Sequence, residues 1–274
     1  MFFKRTKKKE EENQENHFTP EAFEPSSSQL ESSSETNFSP FQSFTSSRAY
    51  SKNMSFREDA NFRSKHSKTS REDIENAMIA NHNAVLKKQQ GQLEEALEEY
   101  TKAITFYPEY SSAYFNRALL YLQNKDYTNA LADYTRSLKF NDHDPETYNN
   151  RANIYVLLDK PNKAIEDYTS AIEFFPNYSE AYHNRAQIYL KQGKTSEAIE
   201  DFKIVLSLNP DLVIDYYNIA CAYAIQNDIV HSLENLEKAL RKGYRNFEQI
   251  KKDNDLSKIR NNPAFKDLIE NFIN

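Results

Sequence analysis

The chain has 274 residues, a net charge of −6, a single cysteine, no tryptophan and only three glycines. Glycine supplies the positive-φ positions of phosphate-cradling loops and tight hairpins, so its scarcity argues against Rossmann, P-loop and most β-rich folds. Charged residues make up 28% and no apolar run approaches the roughly 18 residues of a membrane span, and the lone Cys221 excludes an internal disulfide or a Cys-rich metal centre and suits a reducing compartment.

The first 75 residues hold 12 Lys+Arg, 13 Asp+Glu and 15 serines, with almost no Leu, Ile or Val. Such a stretch buries too little surface to offset a chain entropy of about 1–2 kcal/mol per residue, so residues 1–69 are expected to be a disordered arm. Within it, Lys4 to Lys9 form a short basic run, followed by Glu10 to Glu12, with no apolar core for a secretory signal; such a run is ordinarily solvated charge, and its functional readings are a nuclear address or contact with an anionic surface. Thr19-Pro20 and Ser39-Pro40 suit proline-directed phosphorylation, Arg63-x3-Ser67 lies in a basic stretch, and the Phe38–Phe44 segment suits a short linear motif or a lid on the protein itself.

At Ser70 the texture changes. Ser70-x-x-Asp73 has the form of a capping box, and beyond it apolar residues recur at three- and four-residue spacing to the end. Tyr114-Phe-Asn-Arg-Ala-Leu-Leu-Tyr121 returns as Tyr148–Tyr155 and again as Tyr182–Tyr189, each time after 34 residues. A second block keeps the same interval: Ala130-x3-Tyr134, Ala164-x3-Tyr168 and Ala198-x3-Phe202. Looser copies flank these, from about Ala77 and from about Val213. Repetition at this period is the mark of a stacked helical array. Ala118, Ala152 and Ala186 are expected to face Ala130, Ala164 and Ala198, letting paired helices approach closely. Pro145 and Pro161 fall at predicted first turns, where a missing N–H costs nothing. Residues 245–274 leave the 34-residue register and form a helical cap.

These motifs resemble the tetratricopeptide repeat (TPR) family, with Y-x2-R-A-x2-Y, then A-x3-Y/F, then Pro108, Pro176 and Pro210. Tyr stands where the family has Trp, Arg where it has Leu, Asp142 in place of a proline and Ser232 in place of an alanine. The resemblance implies an all-α, right-handed α-solenoid. It has about five helix–turn–helix repeats near 77–110, 111–144, 145–178, 179–212 and 213–244 within a solenoid at 70–244, plus C-terminal capping helices and the disordered arm.

Two ladders run through the repeats. Arg117, Arg151 and Arg185 are each followed sixteen residues later by Asp133, Asp167 and Asp201; repeat 5 has Ile219 and Asn235, losing both partners together. This spacing predicts a structural ion-pair ladder, within a repeat or across to the next. One residue before each arginine stands Asn116, Asn150 and Asn184, and Asn218 holds the same place in repeat 5. Helix geometry puts these amides on the exposed side of the first helix of each pair, with Phe115, Leu119, Leu122, Asn153, Val156 and Leu157. By resemblance that side is concave and forms a peptide-binding groove, the amides offering both a donor and an acceptor to an extended chain.

No His, Cys or carboxylate pattern suggests a metal, cofactor or catalytic site, and the carboxylate clamp that holds heat-shock chaperone tails keeps only its middle asparagine, Asn116. The sequence therefore reads as a non-enzymatic adaptor without cofactor. It is expected to bind a peptide or protein segment in the cytoplasm, not nucleic acid, a chaperone tail or a membrane. The alternative is a structural subunit of a larger ciliary, cytoskeletal or organellar assembly, with the cilium, cytoskeleton or nucleus as the alternative location.

Overall fold

A computed structural model describes residues 69–273. The disordered arm, the basic run at Lys4–Lys9, the phosphorylation candidates and the Phe38–Phe44 motif lie outside the described residues. Among the described residues there are twelve α-helices, one 3-10 turn and no strand.

Ten helices form five consecutive pairs, each a repeat with a leading helix A and a following helix B. Repeat 1 is α1 (Arg71–Gln89) and α2 (Leu93–Phe106); repeat 2 is α3 (Ser111–Gln123) and α4 (Tyr127–Phe140). Repeat 3 is α5 (Pro145–Leu157) and α6 (Pro161–Phe174), and repeat 4 is α7 (Ser179–Lys191) and α8 (Thr195–Leu208). Repeat 5 is α9 (Val213–Ile225) and α10 (Ile229–Arg241). Each helix packs most extensively on its own partner, and each helix B of repeats 1 to 4 packs next on the helix A that follows, so the pairs stack in chain order as an α-solenoid.

Local sequence accounts for the boundaries. Ser70 caps α1, accepting from the Asp73 N–H at 3.1 Å while its hydroxyl donates to the Asp73 carboxylate at 2.7 Å. That cap starts the helix six residues before the 34-residue register would begin repeat 1. Pro145 and Pro161 occupy the first turns of α5 and α6. Each A–B turn passes through one left-handed residue: Gly91, Lys125, Asp159, Gly193 and Asn227, spaced by 34. A Cβ built on Gly91 or Gly193 meets nothing, so the backbone angle alone, and not space, favours glycine there.

The core is a row of fully buried alanines. Ala118 with Ala130, Ala152 with Ala164, and Ala186 with Ala198 share clusters inside their own repeats, letting the helices close on each other. Tyr100, Tyr134, Tyr168 and Phe202 fill the space between neighbouring repeats. Ser232, standing where the other repeats have alanine, is equally buried and spends its hydroxyl on the Ala220 carbonyl at 2.8 Å. The chain closes with α11 (Phe247–Lys252), the 3-10 turn Asn254–Leu256 and α12 (Pro263–Ile273). Ile250, Leu256, Ile259, Phe265 and Ile269 from this segment bury against Tyr217, Leu236 and Leu240 of repeat 5.

Candidate functional site: the helix A face and the arginine clamps

Each ladder arginine sits at the centre of a three-way clamp. Arg117 binds both oxygens of Asp133 at 2.7 and 2.9 Å, Arg151 those of Asp167 at 2.8 and 2.7 Å, and Arg185 those of Asp201 at 2.8 Å each. All three pairs lie within a repeat, helix A to helix B. The remaining guanidinium nitrogen crosses to the preceding repeat, donating to the hydroxyl of Thr101, Thr135 or Thr169 at 3.0, 3.3 and 3.0 Å. Tyrosines three residues before and four residues after the arginine hold its faces, Tyr114 and Tyr121 at 5.9 and 5.8 Å, Tyr182 and Tyr189 at 5.6 and 5.8 Å, with Tyr148 at 5.7 Å from Arg151. The bond from Asp133 raises the Arg117 pKa further above its ordinary range, outweighing burial. For Asp167 burial wins, and its carboxyl is pushed up despite Arg151. The threonines escape a search for charge pairs, yet their position sixteen residues before each arginine is legible in the sequence.

The asparagine row is less open than helix geometry alone suggests. Asn150, Asn184 and Asn218 are buried, as are Asn153 and Leu122, and only Asn116 of the row is half-buried. The correction has a physical cause: adjacent A helices cover one another, and Asn116 and Asn184 spend their amides on an earlier helix A. Asn116 donates to Asn81 at 3.3 Å, and Asn184 donates to both Asn149 and Asn153 at 3.3 Å. Asn153 in turn accepts from the buried Tyr168 hydroxyl at 2.5 Å. In repeat 2 the residue equivalent to Asn153 is Leu119, so the buried Tyr134 hydroxyl lacks the bond that Tyr168 makes and has the Asn150 amide beside it instead. Burial drives its pKa well up.

On the A helices of repeats 2 and 3 the accessible side chains include an apolar set. Phe115, Leu119, Val156 and Leu157 are half-buried, the first two packed around Tyr134 and Val156 against the cluster of repeat 3. At the junction of repeats 4 and 5 the amide row gives way to a different pair. His183 Nδ1 lies 2.6 Å from Oδ1 of the fully buried Asp215, whose second oxygen has no partner. Among the described residues one cluster carries metal-type donors, Cys221 with Asp253 and Asp255. Its groups already have structural work: Asp253 accepts from Tyr217 at 2.6 Å and from the Asp255 N–H at 2.9 Å, and burial pushes the Cys221 thiol well up.

Family models of the tetratricopeptide repeat match residues 111–144, 145–178 and 179–212, and a further TPR model matches 86–125. The chain is a tetratricopeptide repeat protein. Solved structures agree on the fold. YrrB, described as a TPR protein with an unusual peptide-binding site, superposes with a TM-score of 0.59 at 23% identity over 65% of this chain and 92% of its own. MamA gives 0.58 at 20% identity over 65% and 96%, and PilF of Pseudomonas aeruginosa 0.57 at 17% identity over 73% and 90%. No curated protein matches the chain in sequence. TPR arrays serve as protein–protein interaction scaffolds, and that coarse role applies here. No helix among the described residues is long and apolar enough to cross a membrane.

Proposed function

We propose that this TPR protein is a non-catalytic adaptor whose A helices hold an extended peptide or protein segment across repeats 2 and 3. The observation that carries this reading is the half-buried apolar set Phe115, Leu119, Val156 and Leu157, left accessible while Leu122, Asn150 and Asn153 of the same two helices are closed. Four large apolar side chains supply an anchor of a few kcal/mol when a partner covers them. The amides flank that anchor. Because Asn150, Asn153 and Asn184 are buried, they fix the shape of the face and leave Asn116 as the amide with most surface to offer. The peptide-binding site for which YrrB is described supports the reading by analogy of fold.

The test is capture of partners from cell extract by the full chain and by a Phe115→Ala/Leu157→Asp variant, read by mass spectrometry. Loss of a set of partners from the variant, with its melting temperature within a few degrees of the parent, is the expected result. Full retention of every partner would show that the contacts lie elsewhere, as in a fixed structural subunit.

A further inference from the structure

The two ends of the solenoid are finished differently, and the open one has a defined geometry. In repeats 2, 3 and 4, the third and tenth positions of helix A pack on the preceding repeat: Ala113 and Leu120, Thr147 and Ile154, Ala181 and Ile188 are all buried. The equivalent residues of α1 are Ile79 and Leu86, which are 59% and 42% exposed. They are the apolar half of a repeat-to-repeat interface with no repeat in front of it. At the other end the chain covers the matching surface with its own α11–α12 segment. A stacked array needs both ends closed to stay soluble.

We propose that the chain's own residues 48–68, which lie outside the described residues, cover the Ile79–Leu86 edge and cap the solenoid at its N-terminal end. Three observations select this occupant. The segment joins α1 directly, running into the Ser70 cap, so its effective concentration at the edge is in the millimolar range and a modest contact suffices. It carries Tyr50, Met54, Phe56 and Phe62 as apolar groups to set against the two exposed side chains. Its charge is complementary: it has six Lys+Arg against two Asp+Glu, while the α1–α2 pair has seven acids against four bases. A second copy docking on the same edge by two-fold symmetry would place this acidic pair against itself.

Hydrogen–deuterium exchange on the full chain tests the proposal, comparing the parent with Ile79→Asp/Leu86→Asp. Amides of 48–68 are expected to exchange about tenfold more slowly in the parent than in the variant, while repeats 3 to 5 exchange alike in both and so report an intact fold. A second variant, Arg57→Gln/Arg63→Gln/Lys65→Gln, leaves the solenoid untouched and should speed exchange of the same segment, with the parent's protection fading as salt is raised. Equal exchange of 48–68 in parent and edge variant overturns the proposal. So does sedimentation showing a parent dimer that the edge variant dissolves, since the edge would then be covered by another copy.

Discussion

The three junctions between repeats 1 and 4 and the last junction, between repeats 4 and 5, meet the same need with opposite chemistry. The first three use arginine, aspartate and threonine, sandwiched by tyrosines. The last keeps the tyrosines, Tyr216 and Tyr223, but has Ile219, Asn235 and Lys203 in the three polar places. Ile219 is buried in an apolar cluster with Ala198, Phe202 and Ala222. The tyrosine faces are then served by lysines from other helices, Lys203 over Tyr223 and Lys242 over Tyr216, both at 5.8 Å. A buried ion pair and an apolar contact are thus interchangeable as whole sets. Arginine, aspartate and threonine are all absent from the last junction, so no guanidinium is left there without its carboxylate.

Breaking one set should therefore have the largest effect. Asp167→Ala leaves the guanidinium of Arg151, a side chain only 16% exposed, without its carboxylate. The expected loss is about 3–5 kcal/mol by denaturant titration, while the exposed neighbour Glu166→Ala stays within about 0.5 kcal/mol. Equal losses would show that the clamp is not holding the junction. Replacing the whole set is the sharper experiment. Thr169→Lys/Arg185→Ile/Asp201→Asn installs at the repeat 3–4 junction what the 4–5 junction already has. The triple variant should be more stable than Asp201→Ala alone despite carrying three changes, a non-additivity read directly as a coupling energy.

Much of this was legible in the residues. The 34-residue interval predicts every A and B helix, the alanine rows and an arginine–aspartate ladder, while the choice between pairs within a repeat and pairs across to the next comes only from the structure. The exposed asparagine row was not, for a reason that recurs in solenoids. A helical wheel gives the direction of a side chain from its own axis but not what the next helix lays over it, and Asn149 and Asn153 lie where only the stacked neighbour Asn184 reveals them as closed. The early start of α1 was likewise hidden by the repeat register, although its Ser70 cap was readable. Repeat logic describes what repeats share; the ends of the array obey local capping instead.

The A–B turns sharpen the contrast between what the repeats share and what single positions choose. All five turns need a left-handed residue, and two have glycine; Lys125, Asp159 and Asn227 adopt φ of 59°, 53° and 62° with a side chain in place. A side chain in this region costs about 1 kcal/mol or more, less for Asn and Asp, which bond locally. Lys125→Gly should therefore raise stability by about 1 kcal/mol, Asn227→Gly by less, and Gly193→Ala should lower it by a similar amount although open space surrounds the new methyl. Thermal unfolding of the three single variants orders these effects, and a loss of stability for Lys125→Gly would mean that the lysine earns its place by a contact that outweighs the backbone strain.

The smallest expected effect separates the middle of the array from its last repeat by proton linkage. Asp144 caps α5 and Asp228 caps α10, each accepting from a backbone N–H of the first turn. Burial, the dominant influence, raises the Asp144 carboxyl above the ordinary 3.8, whereas the His231 ring beside exposed Asp228 holds that carboxyl below it. The folded state thus binds a proton at Asp144 more tightly than the unfolded chain does, so this group's contribution falls as pH rises from about 3.8 through its folded value. Asp228 works in the other direction: its contribution is present above the ordinary value and fades as pH drops through the lower folded one. Melting temperatures followed from pH 6 down to pH 3 should accordingly show Asp144→Asn losing a component of acid stabilisation that the parent has, and Asp228→Asn losing a component of acid destabilisation. Asparagine still caps a helix, so both variants keep their first turns and differ from the parent in slope more than in stability at neutral pH. Parallel slopes for the two variants would mean that burial does not distinguish the middle cap from the last one.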